Sequence, residues 1–141
     1  MGREDIIRDV PIFSELSKRD LGRVAKIMVQ RSAAAGEVII KENDQAAGFF
    51  IISSGKVDVI RGEETDKPEL LNTLGPGDFF GEMALFEGFP RVATVKATED
   101  SELLAMTRWD FTAEMKNHPE IAVSMLPVLV KRLRDVESQL Q

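Results

Sequence analysis

Within the stretch Gly75 to Ala97, a carboxylate and a guanidinium, Glu82 and Arg91, stand nine positions apart. An arginine donates paired N–H bonds to two phosphate oxygens, whereas an ionised carboxylate only accepts and so suits a sugar hydroxyl. A short apolar helix is expected over Glu82 to Phe86, directly after Gly81. A helix N-terminus presents unpaired amides to an anion, and the missing side chain of Gly81 lets a ligand approach the backbone. The turn Gly88-Phe89-Pro90 then folds the chain back so that both charges reach one pocket. The same two residues also fit a structural ion pair that needs no ligand.

Composition narrows what such a pocket can do. The 141 residues are 43% hydrophobic and 30% charged, the balance of an ordinary globular domain. A net charge of −6 opposes binding to a polyphosphate backbone, and no run of Lys and Arg offsets it. One deeply placed arginine can still hold one small phosphate, since local geometry decides that contact. With no cysteine there are no disulfides, thiolate nucleophiles or Cys-ligated metals, and with His118 as the sole histidine a metal-dependent enzyme on a similar scaffold is not expected. No enzymatic activity, no metal and no membrane span are expected, and a cytoplasmic location follows as the default. Gly2 does not complete a myristoylation pattern, because Ile6 stands where Ser or Thr is required.

The elements that must position the pocket fall into three stretches. Glu4 to Val10 reads as a short helix stopped by Pro11. Ser17 is a cap for a helix from Lys18 to Val29, with Leu21, Val24, Ala25 and Met28 on one face. From there to Met106, β-branched and aromatic runs alternate with glycine and acidic turns. They are Val38 to Ile40, Phe49 to Ile52, Val57 to Ile60, Leu70 to Leu74, Val92 to Ala97 and Glu102 to Met106. Helical spacing returns with Asp110 as a cap for Phe111 to Asn117, breaks at His118-Pro119, and resumes from Glu120 with a kink or restart at Pro127. Trp109 is expected in the core and His118 at an exposed helix end. The division is N-terminal helices over 1–30, β-strands over 31–107 and C-terminal helices over 108–141.

The pieces Phe80-Gly81-Glu82-Met83-Ala84-Leu85 and Pro90-Arg91-Val92-Ala93 resemble, at the usual separation, the phosphate-binding cassette of the cyclic-nucleotide-binding family. Gly55 with its following strand, and the turn Gly75-Pro76-Gly77-Asp78, extend the resemblance. It implies a mainly β fold, a double-stranded, jelly-roll-like β-roll between N-terminal helices and C-terminal helices of the family's B/C type, in one domain over 1–141 with its cassette at 79–93. It further implies that Gly81 and Glu82 meet a ribose 2′-hydroxyl, and that the Ala84 and Leu85 amides with Arg91 and Ala93 hold a cyclic phosphate. Val92 stands where members preferring cGMP often carry a hydroxyl, which tilts the expected ligand to cAMP, with cGMP as the alternative.

By position, Leu129, Arg132 and Leu133 are candidates to cap the base. The apolar stripe Leu126, Leu129, Val130, Leu133, Val136 and Leu140 fits a helix packed on its own roll, a homodimer helix or a mobile lid. The expected partners are a cyclic nucleotide and an effector protein or domain. Direct nucleic-acid binding is not expected, as no helix-turn-helix follows the last helix. A roll that lost its ligand and serves as a protein-interaction module is the alternative.

Overall fold

In a computed structural model, which describes residues 2–45, 48–88 and 90–140, Ser17 caps the helix it was expected to start. Its hydroxyl accepts from the Asp20 amide at 3.1 Å, and α2 runs over Lys18–Ile27. The preceding helix α1 (Arg3–Arg8) is tied to the far end of α2 by Arg3, whose Nη1 donates to the carbonyls of Ala25 (3.1 Å) and Met28 (3.0 Å). A cation on the last carbonyls satisfies acceptors that the helix itself leaves open. Between the two helices Pro11–Phe13 forms a 3₁₀ turn that buries Ile12 and Phe13.

Among the described residues eight strands follow: β1 (Val29–Ala33), β2 (Val38–Ile40), β3 (Gly48–Ser54), β4 (Val57–Arg61), β5 (Glu69–Leu74), β6 (Phe79–Phe80), β7 (Thr94–Ala97) and β8 (Ser101–Thr107). They form two antiparallel sheets in the orders β1-β8-β3-β6 and β2-β7-β4-β5, a β-roll flanked by helices. Two strands are too polar or too short to be read locally. β1 is Val-Gln-Arg-Ser-Ala with Val29 exposed, and β6 is only two residues long. Pairing with β8 and β3 creates them, so they arise from partners distant in sequence.

The run Phe49-Phe50-Ile51-Ile52 is buried throughout because β3 has a core on each face. Phe49 and Ile51 point to the helices, where Phe13, Leu21, Val24, Phe111, Ile121 and Met125 join them. Phe50 and Ile52 point into the roll with Val57, Phe80, Val95 and Leu103. The β3–β4 hairpin turns on Gly55 at φ +94°, where a Cβ would lie 2.6 Å from the Ser101 Cα, so only glycine fits.

The C-terminal helices differ from expectation in the cap of α3, in the exposure of Trp109 and in the absence of a restart at Pro127. α3 spans Arg108–Asn117 and is capped by Thr107, whose hydroxyl accepts from the Asp110 amide at 3.1 Å; Asp110 lies inside the first turn. With Phe111 turned into the core, Trp109, two residues away and so on the opposite side of the helix, is 61% exposed beneath the Arg108 guanidinium. α4 (Glu120–Gln139) continues through Pro127 as one element. Its first half is anchored by buried Ile121 and Met125, with Leu129 partly buried behind them, whereas 133–140 are exposed throughout.

Candidate functional site

Arg91 is fixed first by its backbone. Its amide donates to the Asp44 carbonyl and its carbonyl accepts from the Asn43 amide, both at 2.8 Å, which pins it to the turn between β2 and β3. The side chain then reaches across to β3, where Nη2 donates to the Gly48 carbonyl at 2.5 Å. This puts the guanidinium directly over Gly81. A Cβ at Gly81 would stand 2.6 Å from the Gly48 oxygen and 2.9 Å from Arg91 Nη1, and the residue has φ +81°. Burial lowers the Arg91 pKa from the ordinary arginine value, and the Glu87 carboxylate works in the opposite direction. A guanidinium carries five N–H donors, so the bond to Gly48 leaves capacity for an anion.

Beside this guanidinium lies a cavity of about 180 Å³, with Ile39, Ile40 and Phe50 as its apolar side and Lys41, Asp44 and Gln45 as its polar side. A neighbouring cavity of about 130 Å³ is bordered by Glu42, Glu63 and Glu64, and that carboxylate lining disfavours an anion.

The cassette segment is hung on β3 from the other side. Asp78 Oδ2 accepts from the Gly75 amide at 2.9 Å, and the Gly77 amide and Asp78 carbonyl bond to the backbone of Ile52. Phe80 stacks on Phe50 with ring centroids 5.0 Å apart. The helix expected over Glu82 to Phe86 is a single 3₁₀ turn, Glu82–Leu85. Its alternation buries Ala84 and Leu85 and exposes Met83 and Phe86. The Ala84 amide closes the turn onto the Gly81 carbonyl at 3.0 Å and is therefore already engaged. Arg91, Val92 and Ala93 precede β7, which starts at Thr94; Ala93 is buried and Val92 is 76% exposed. Phe89, in the expected return turn, lies outside the described residues.

Glu82 does not form the structural ion pair with Arg91 that the sequence left open. Its carboxylate instead accepts from Arg132 of α4 through both oxygens, at 2.8 and 3.3 Å. Sequence reasoning reached Arg132 only as a base-capping candidate. The signal for its contact with Glu82 is the spacing Met125, Leu129, Arg132, one stripe of α4 facing the body. Of the other two candidates, Leu129 packs on the helical core and Leu133 is exposed. Gly48 and Glu87, which set the surroundings of Arg91, were also missed, since nothing local links them to position 91. His118 is the C-cap of α3, with Nδ1 3.7 Å from Glu120. Among the described residues there is no group of side chains able to hold a metal ion, and no helix long and apolar enough to cross a membrane.

Residues 30–118 match the model of the cyclic nucleotide-binding domain family. The chain is 32% identical to the cyclic AMP receptor protein of Thermus thermophilus over 92% of its own length. It spans 60% of that relative and 27–37% of three others, which are potassium channels and a protein kinase regulatory subunit. Among solved structures, the N-terminal domain of a transcriptional regulator from Streptomyces coelicolor superposes with a TM-score of 0.90 at 27% identity, covering 97% of this chain and 96% of that one. The regulatory domain of Toxoplasma gondii protein kinase A, solved with cAMP, superposes with a TM-score of 0.73 at 31% identity, covering 79% of this chain and 42% of that one.

Proposed function

The chain belongs to the cyclic nucleotide-binding domain family, and from that premise we propose that it is a regulatory sensor that binds cAMP in preference to cGMP and does no chemistry on it. The observation that carries this reading is Arg91, its guanidinium held over the bare backbone of Gly81 beside a small, partly apolar cavity. The cyclic phosphate takes its charge-assisted bonds from Arg91 and backbone bonds from the cassette. Glu82 and Gly81 take the ribose hydroxyl. At about 180 Å³ the cavity is smaller than the roughly 300 Å³ at which drug-sized pockets begin, and Arg91 is the cassette residue that lines it, so it supports the phosphate contact. Val92 offers no hydroxyl to a guanine, which favours adenine.

Transmission follows from packing. For the Ala84 amide to serve phosphate, its bond to Gly81 must be exchanged, and the cassette turn must re-form around the ligand. Leu85 is buried in the helical core, and Phe86 meets Phe111 of α3 edge to face at 6.2 Å, so movement of the turn reaches α3 and α4 through them. The ligand shifts the arrangement only as far as its affinities for the two states differ. The output passes to an effector protein or domain in the cytoplasm.

Titration calorimetry with cAMP and cGMP tests the reading. We expect saturable heat with both and tighter binding of cAMP; no heat with either at millimolar concentration would leave only the architecture. That outcome would favour a second reading, a roll used purely for protein contacts. It draws on two observations, that the Ala84 amide and the Glu82 carboxylate already have partners within the chain.

The exposed side of α4 supports a homodimer. Val123, Leu126, Val130, Leu133 and Leu140 alternate at spacings of three and four, broken where Glu137 takes one seam position, with Val and Leu in the order that favours two parallel strands. Leu133→Glu is expected to shift the protein to monomer in sedimentation equilibrium without changing its circular dichroism. A wild type that sediments as a monomer at high micromolar concentration removes this assembly.

A further inference from the structure

Glu82 serves a sugar hydroxyl only to the extent that its carboxylate can accept, and Arg132 already donates to both of its oxygens. The pair is sheltered, with 16% of the Glu82 side chain and 35% of the Arg132 side chain exposed. A hydroxyl donating to a carboxylate also makes a charge-assisted bond, but Arg132 brings two donors and a countercharge that a ribose lacks. A ribose hydroxyl must therefore displace Arg132 from an oxygen or donate more weakly to the remaining lone pairs of a carboxylate whose charge is already countered.

The place of Arg132 in the helix gives that competition a consequence. Pro127 lacks the N–H that would bond the Val123 carbonyl, so α4 is one bond short just before the distal half. Ile121 and Met125, the buried anchors, precede this point. Beyond it Leu129 is partly buried, Arg132 holds Glu82, and 133–140 are exposed. The ion pair is thus a main tie between the distal half of α4 and the cassette.

Resting on the cyclic-nucleotide reading above, we propose that Arg132 and the ribose 2′-hydroxyl are alternative partners of Glu82, so that sugar occupancy unties the distal half of α4 from the cassette. Arg132 is then a positioning residue that restrains the helix and weakens the hydroxyl contact.

The test is calorimetric titration of the wild type, Arg132→Ala and Arg132→Lys with cAMP and with 2′-deoxy-cAMP, alongside amide hydrogen exchange over 128–136. Loss of a positive charge near an anionic ligand affects both nucleotides alike, so the informative quantity is the ratio of their affinities. We expect removal of the 2′-hydroxyl to cost about fivefold more in Arg132→Ala than in the wild type, the difference between a hydrogen bond to a full and to a countered charge, with Arg132→Lys in between. Exchange over 128–136 should rise in Arg132→Ala without nucleotide, and in the wild type with cAMP but not with the deoxy analogue. An equal or smaller ratio in Arg132→Ala overturns the competition while leaving the sensor reading intact. Absence of heat with every protein and nucleotide overturns both. Should Arg132→Ala not fold, Glu82→Gln removes the pair from its other end, and unchanged exchange in that variant overturns the tie.

Discussion

Arg91→Ala is expected to weaken cAMP binding about a hundredfold or more while leaving the unfolding transition nearly unchanged. Truncating one partner of a sheltered, hydrogen-bonded charge pair costs about 2–5 kcal/mol, because the other charge is left in a desolvated place without its counterion. Here the phosphate would be that stranded charge. The fold should tolerate the change, since the bonds that pin position 91 to Asn43 and Asp44 are made by its backbone. The side chain bonds the Gly48 carbonyl and interacts with the Glu87 carboxylate, so a modest loss of stability is expected. Arg91→Lys keeps the charge without the planar pair of donors and should fall between. Calorimetry on the three proteins decides it, and equal affinities would remove Arg91 from any role in holding phosphate.

Phe111→Ala is expected to produce the largest loss of stability, about 3–5 kcal/mol. Phe111 is fully buried and meets Phe13 of the N-terminal 3₁₀ turn at 5.8 Å and Phe86 behind the cassette at 6.2 Å, both edge to face. Removing the ring deletes its burial and both aromatic contacts, and it leaves a cavity where three segments meet. Urea unfolding followed by circular dichroism measures the effect. Trp109→Ala, two residues away but 61% exposed, is the control and should cost little. A loss under about 1 kcal/mol for Phe111→Ala would mean that these segments close up around the missing ring.

That pair of neighbours also shows where sequence reasoning holds and where it stops. The long strands, the Ser17 cap and the split of the chain into helices, roll and helices rest on local signals, which are hydrophobic period and cap chemistry. Trp109 was misread because α3 starts at Arg108 under the Thr107 cap, and a shift of a few residues in a helix start reverses which side chain faces inward. β1 was missed because its own residues hardly favour a strand, and β6 because Phe79-Phe80 is too short to show a period.

The candidate site divides in the same way. Gly81, Glu82 and Arg91 carry their chemistry in a short stretch of sequence. The Gly48 carbonyl and Arg132, which receive Arg91 and Glu82, lie 43 and 50 residues away and are joined to them only by folding.

Gly48 is also the first residue of β3, the strand whose two sides line separate hydrophobic interiors. A tug on its carbonyl by Arg91 is applied to the common wall of two rooms. Neither the helical layer nor the lining of the roll is insulated from events at the guanidinium. Substitutions along Phe49-Phe50-Ile51-Ile52 should for that reason never separate folding from sensing, whichever side of the strand they touch.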